Sequence, residues 1–315
     1  MTHLIKIVVV FLMIGCLVYI DGIDFQVFSQ VGKDSYLVLG IALIIFLLIV
    51  FLGGLKWFLL IRAVDVPISL SQCFKIHMIG TFFMFYLPGG ATGSAMIKAY
   101  FVHKETRGAS NLALMSIFID SIMGVYSLII VGVVLICINY QVPIGDPIFR
   151  WNLWIYVIIF TFSSSIIWLL FTRRSKTLFN SGWINKFPFN KFLDGFLSAI
   201  EIYRGKLIPL CLTLVLNMIL HIMMIFVFYF SALALNFDIP LSLHSHIVPL
   251  LLLINLIPIA PGGLGVGEVA SFAIYNMAGV EGGGEIFLLY HVYLFITSVL
   301  GAPFYFSYKY RQDIS

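Results

Sequence analysis

The chain has 315 residues, of which 61% are hydrophobic and only 10% charged, with a formal net charge of +4. Soluble domains carry about 25% charged residues, so most of this surface must face lipid and a soluble fold is excluded. The four cysteines, Cys16, Cys73, Cys137 and Cys211, lie in separate apolar segments without paired C-x-x-C spacing. They are expected to be packing residues rather than a disulfide framework or a zinc site.

The first apolar run, residues 4–20, carries Lys6 near its start. Gly15-Cys16 resembles a lipoprotein cleavage point, but with no secreted domain downstream an uncleaved first helix is the preferred reading. Further runs at 36–60, 110–139, 151–171, 207–235 and 286–308 approach or exceed the roughly 18 to 20 apolar residues that cross a hydrocarbon core. Six spans put both termini on one side. Two other apolar stretches, 68–105 and 246–282, must then enter and leave on the same side, each as a re-entrant hairpin.

Basic residues accumulate in cytoplasmic loops, and the distribution tests this order. With the N-terminus inside, the cytoplasmic side receives Lys6, Lys56, Arg62, Lys104, Arg107, Arg173, Arg174, Lys176, Lys186, Lys191, Arg204, Lys206, Lys309 and Arg311, and the outside receives Lys33 and Arg150. The acids Asp21, Asp24, Asp34, Asp146, Asp238, Glu281 and Glu285 all fall outside. The expected location is the plasma (inner) membrane, multi-pass, with both termini cytoplasmic. Within the long cytoplasmic loop 172–206, Phe192, Phe196, Ile200 and Tyr203 recur at helical spacing opposite Lys191, Asp194, Glu201 and Arg204. This predicts a short helix lying either on the inner membrane surface or on the protein's own cytoplasmic face.

The first hairpin turns at Leu87-Pro88-Gly89-Gly90 and the second at Pro258-Ile259-Ala260-Pro261-Gly262-Gly263. Irregular backbone at membrane depth is tolerated only when buried in protein or lining a wet cavity, and a cavity is expected between the hairpins. Span 36–60, hairpin 68–105 and span 110–139 form one unit, about 36–139. Span 207–235, hairpin 246–282 and span 286–308 form another, about 207–308, of opposite sense, with a linker span and loop at 151–206 between them. The whole chain, 1–315, reads as a single transmembrane domain of the all-α class, an inverted repeat. Interrupted helices at matching positions of two inverted halves point to a transporter's binding site; two ordinary short helix pairs are the blander alternative.

After each turn a half-helix begins, at Ala91 and near Leu264, with Thr92 and Ser94 available to cap the first. A helix N-terminus suits a phosphate or another anion, so an anionic lipid headgroup is expected there, held by Pro88, Gly89, Gly90, Thr92, Gly93 and Ser94 on one side and Pro261, Gly262, Gly263 and Gly265 on the other. Ionisable residues inside the membrane are functional candidates by default. Asp120 lies about 15 Å into its span, Glu268 about 8 Å beyond its turn, Lys98 about 14 Å and Lys75 about 20 Å from theirs. Lys75 is expected at the interface with its head in water, Lys98 against a headgroup phosphate or as an anchor. Asp120 and Glu268 are read as proton-coupling or substrate-steering groups, or else as acids satisfied structurally. His77, His221 and His291 are scattered histidines with a weaker claim to a relay.

Three stretches carry a resemblance: Leu87 to Tyr100 (LPGGATGSAMIKAY), Ser116 to Gly124 (SIFIDSIMG) and Pro258 to Val280 (PIAPGGLGVGEVASFAIYNMAGV). Over nearly its whole length the chain resembles the lysylphosphatidylglycerol synthetase transmembrane-region family, whose members are described as flippase-like. The family commonly has an acid where this chain has Ser94, and arginines where it has Lys98, Ser121 and Gly267; Lys98 keeps the charge without the planar fork. The resemblance implies translocation of a modified phospholipid or a polyprenyl-linked saccharide across the bacterial inner membrane. It does not imply synthesis, because no soluble aminoacyl-transfer domain fits within 315 residues.

A lipid flippase, not an enzyme, is therefore the leading expectation, with no nucleotide-binding motif to power it and no cofactor or metal. Two other readings stand beside it: a membrane-embedded transferase using Asp120 or Glu268 as general base, and a non-transporting subunit that docks a cytoplasmic enzyme on the loop from Arg173 to Lys206. Expected partners are membrane lipids and, as one option, a second copy of the chain, with no nucleic acid.

Overall fold

The computed structural model describes residues 23–29, 31–87, 90–106, 110–138, 147–171, 200–257 and 260–314, together with Gly15 and Tyr19. The expected first span, the residues Pro88, Gly89 and Pro258 of the two turns, and most of the loop helix (its residues before 200) lie outside them. The described elements are helical. After a single turn at Gln26–Ser29 come α1 (Lys33–Ala63), α2 (Leu70–Met84), α3 (Ala91–Glu105), α4 (Ser110–Ile138), α5 (Pro147–Phe171), α6 (Leu207–Ala234), α7 (Leu241–Ile254), α8 (Val266–Met277) and α9 (Gly283–Ile314). Among the described residues four stretches, Ser35–Ala63, Leu112–Ile138, Leu207–Ala234 and Gly283–Tyr308, are long and apolar enough to cross a membrane. Their outer faces carry exposed Ile44, Leu48, Phe51, Ile208, Leu212, Val215 and Val299, as a lipid-facing surface requires.

The four shorter helices of the two hairpins end where the chain forbids continuation. Ser69 and Gln72 form a capping box that starts α2, and α3 ends with His103 and Lys104 against its negative pole. α1 and α6 leave their last residues, Ala63 and Ala234, by the same device: two positions on, Asp65 (φ 57°) and Asn236 (φ 63°) adopt the left-handed conformation, which Asn and Asp tolerate best among side-chain-bearing residues.

Packing follows one rule of exchange. If α1, α2, α3 and α4 are mapped onto α6, α7, α8 and α9, every packed pair among these eight maps onto another packed pair. α1 lies along its counterpart α6. The first arm of each hairpin lies against the last long helix of the other unit, α2 on α9 and α7 on α4. α5 packs on α4 and stands outside this scheme.

Among the described residues two large apolar cores result, with a small third cluster at Ala260 and Val266. One joins Phe46, Phe228, Phe287, Tyr290 and Tyr293 with Ile247 and Leu251; the other joins Trp57, Ile61, Ile76, Ile79, Phe101 and Ile119. Because lipid is as apolar as a side chain, contact geometry rather than water exclusion holds such helices together. On α2 and α9, Phe82 and Phe83 meet Tyr305 at 5.7 and 5.1 Å, and Phe74 meets Phe304 at 6.1 Å. Pairs of this kind contribute about 0.5–1.5 kcal/mol each beyond burial. Close approach is secured at Gly301, where a Cβ would stand 2.5 Å from the Met78 carbonyl.

Ile200 and Tyr203, expected on the apolar face of the loop helix, are both buried in the second core, and the Tyr203 hydroxyl donates to the Leu60 carbonyl at 2.9 Å. This end of the loop therefore packs on the protein rather than on the membrane surface.

Candidate functional site

Two polar clusters interrupt the apolar interior. The first is set about 10 to 15 Å inside the end of the bundle where α1 and α3 finish and α4 and α6 begin. Lys56 on α1, only 8% exposed, places Nζ 2.8 Å from Asp120 Oδ1 on α4 and donates to Asn217 Oδ1 on α6 at 2.7 Å. The approach to Asp120 lies off the hydrogen-bonding direction of that oxygen, so the contact is chiefly Coulombic. Lys56 thus belongs to the interior, not to the cytoplasmic loop where its position near the end of a span suggests it, because the carboxylate is what makes burying an ammonium tolerable.

Lys98 on α3 joins this cluster. Its Nζ sits 5.4 Å from the Trp57 ring centroid, the Trp57 indole is held by a 3.1 Å bond to Ser116 Oγ, and Lys98 lies within Coulombic reach of both Asp120 and Lys56. Two lysines thus stand about one carboxylate. On α6, Asn217 Nδ2 and, one turn earlier, Thr213 Oγ1 are buried without a partner among the described residues. Buried donors left without acceptors are the kind of group that an anion satisfies.

The second cluster sits at the hairpin tips. Gly90 (φ 41°), Gly262 (φ 62°), Gly263 (φ 86°) and Gly265 (φ 81°) hold backbone that side-chain-bearing residues avoid. The tips touch: the Leu87 carbonyl accepts from Gly90 N–H of its own turn and from Gly262 N–H of the other, both at 3.2 Å. At the tips the Leu87 carbonyl and the Gly262 N–H satisfy each other, one way of burying irregular backbone.

Glu268 on α8 is fully buried. Its Oε2 accepts from Gly265 N–H at 2.8 Å, forming the reach-back half of a capping box, and its Oε1 lies 2.7 Å from His291 Nδ1 on α9. His291 Nε2 in turn lies 3.2 Å from the Gly262 carbonyl. The positive end of α8 is therefore occupied by the helix's own carboxylate. The α3 N-terminus differs: Gly90 is its N-cap and no side chain caps it. Thr92 is exposed and Ser94 is buried with Oγ facing Gly80 on α2, so neither plays the capping role expected of it.

Among the remaining expected residues, Gly93 is buried in the α3 interface, Pro261 is half-buried at the tip, and Pro88 and Gly89 lie outside the described residues. Lys75 is exposed, as expected of an interfacial lysine. His77 and His221 are struts between helices, bonded to the Val50 and Gly124 carbonyls at 3.0 Å each; of the three histidines His291 alone meets a carboxylate. Gly267 leaves no room for a side chain, since Phe287 comes within 1.9 Å of any Cβ added there. Asn217 carries no mark in the sequence and Lys56 reads there as a loop cation; the signal that marks Lys56 is its place seven residues inside a helix that runs on to Ala63.

The halves mirror one another here too. In the first, a base on the second hairpin arm (Lys98) faces an acid on the following long helix (Asp120). In the second, an acid (Glu268) faces a base (His291) at nearly the same interval along the chain. No curated protein and no solved structure matches the chain. The family model described as "Lysylphosphatidylglycerol synthase TM region" matches residues 3–301. With its apolar helices, the chain is a multi-pass membrane protein related to lipid modification or transport, and it belongs to the lysylphosphatidylglycerol synthase transmembrane-region family.

Proposed function

We propose that the protein is a flippase that moves a lipid bearing a phosphate headgroup across the bacterial inner membrane. In this reading six helices span, α2–α3 and α7–α8 are re-entrant hairpins of opposite sense, and both termini are cytoplasmic. The exchange rule of the packing supports an inverted repeat, the architecture of alternating-access carriers. The observation that carries the reading is the cluster of Lys56, Lys98, Asp120 and Asn217: two lysines about one carboxylate, beside buried polar groups of α6 without a partner among the described residues, where the two units meet.

The headgroup enters at this cluster from the cytoplasmic end while its tails remain in the bilayer, and the touching tips bar further passage until the units rock apart. The partners of this reading are the membrane lipids. A transferase is disfavoured on geometry, since Asp120 faces Lys56 and Glu268 is engaged by Gly265 N–H and His291. Glu268 in particular is fully buried with both oxygens engaged, which leaves no place for a lipid hydroxyl against it.

The test is translocation in vesicles containing the purified protein and fluorescent phosphatidylglycerol, phosphatidylcholine or a polyprenyl phosphate. Wild type is expected to accelerate at least one anionic lipid over the zwitterionic one, and Lys98→Gln to slow it by about tenfold, the loss of one charge-assisted contact. Equal rates for wild type and Lys98→Gln, or no acceleration by folded protein, would overturn the reading.

A further inference from the structure

His291 places both ring nitrogens on oxygen atoms. Nδ1 is 2.7 Å from Glu268 Oε1, and Nε2 is 3.2 Å from the Gly262 carbonyl. A carbonyl can only accept, so Nε2 must carry a hydrogen. A proton must also lie between Nδ1 and Oε1, either on an imidazolium facing a carboxylate or on a carboxylic acid facing a neutral ring. In both cases the pair holds one proton more than a neutral histidine beside an ionised glutamate.

That proton has a structural consequence. Without it, a neutral ring has one hydrogen for two acceptors, and it must release either Glu268 or Gly262. Glu268 is fully buried and would then carry an uncompensated charge. Donating to Glu268 is therefore favoured, and Gly262 is released. Gly262 is the residue whose N–H reaches the Leu87 carbonyl of the opposite hairpin.

The surroundings are otherwise short of charge. On α9, Phe287 and Tyr290 flank the His291 ring at 5.3 Å each, and the Tyr290 phenol is the titratable neighbour within Coulombic reach of Glu268, hydrogen-bonded to the Asn255 side chain beyond the end of α7. The first hairpin meets this region through backbone, the Leu87 carbonyl and the Phe85 carbonyl, which would stand 3.0 Å from a Cβ at Gly262. Lys56, Lys98 and Asp120 form the separate cluster on α1, α3 and α4.

We propose that Glu268 and His291 form a binding site for a single proton that latches the two hairpin tips together, so that its release and uptake gate lipid movement. The gating half rests on the flippase reading; the site itself does not. The proton that leaves for solvent is the one on Nε2, so that the Glu268 carboxylate still accepts from Nδ1–H of a neutral His291 while the Gly262 carbonyl loses its donor, and one proton returns to Nε2 when the tips close.

Two variants separate the states. In Glu268→Gln the amide donates to Nδ1 and its carbonyl accepts from Gly265 N–H, so every bond of the latched state survives without the titrating proton. This variant is expected to fold and to stay latched. In His291→Met the Gly262 carbonyl is released at all pH values.

The experiment joins nitrogen-15 spectroscopy of labelled histidines in lipid nanodiscs, titrated with pH, to translocation of fluorescent phosphatidylglycerol in vesicles under an imposed pH gradient. Expected for wild type are a His291 signal reporting gain of one proton on acidification and a rate that changes by about tenfold with the gradient, the response of a two-state equilibrium biased by one ligand. Glu268→Gln should lose both the titration and the gradient response and be slow; His291→Met should be fast and indifferent to the gradient. The same histidine titration in wild type and Glu268→Gln would overturn the site. An identical gradient response in the two would overturn the gating. A clear titration in a protein that moves no lipid would support the site while refuting the flippase reading.

Discussion

At the scale of single residues, the interior of this protein is decided by where charges find partners. Lys56 is tolerable only beside Asp120, and the pair can be separated from its effect on function by stability. Asp120→Asn leaves a buried ammonium without its counter-charge, and the expected cost is about 3–5 kcal/mol. Lys56→Met combined with Asp120→Asn is expected to cost less than Asp120→Asn alone, as a double-mutant cycle of thermal unfolding in detergent will show. Additive costs would mean that the two groups do not interact. Asp120 and Glu268 stand out in the sequence by depth alone, since an acid that far into an apolar run is rare. Their partners do not: Lys56 and Asn217 are 161 positions apart, and Lys56 lies close enough to a span's end to pass for a loop anchor. Likewise nothing local singles out His291 from His77 and His221, which serve as struts to backbone carbonyls.

At the scale of elements, glycine and proline punctuation announces both helix breaks, and apolar runs announce the long helices. The expected stretches 110–139 and 207–235 correspond to Ser110–Ile138 and Leu207–Ala234. The longest discrepancy is at the last helix, which continues to Ile314 rather than stopping at 308, because a helix leaving the bilayer can keep its hydrogen bonds in water. What the punctuation does not convey is that the two turns meet. Gly262→Ala tests this contact: the residue has φ 62° and a Cβ would stand 3.0 Å from the Phe85 carbonyl. Strain of this kind costs about 1–3 kcal/mol, and the tips are expected to part. Spin labels at Tyr86→Cys and Ile257→Cys, both exposed beside the tips, should report a short, narrow distance that lengthens or broadens in the alanine variant. An unchanged distribution would show that the tips do not depend on this glycine.

At the scale of the whole molecule, the exchange rule of the packing makes a topological claim. Ser71, at the start of α2, and Asp238, before α7, occupy matching places in the two units and are both exposed. If the units are inverted, cysteines at these two positions, in a background without the native cysteines, are labelled from opposite sides of the membrane. Labelling of both from one side would refute inversion while leaving the contacts untouched.

The amino-acid sequence sets the class of the protein, since 61% hydrophobic residues in long uncharged runs have no stable home but a bilayer. It also determined where helices break, because proline lacks a backbone donor and glycine alone adopts these conformations at little cost. Tertiary structure decided the rest: which unit packs on which, that the tips close on each other, and which base meets which acid. The physical reason is range. Helix formation and breakage are set by residues within a turn or two, whereas Lys56 with Asp120, Glu268 with His291 and Leu87 with Gly262 meet only after separate helices have packed.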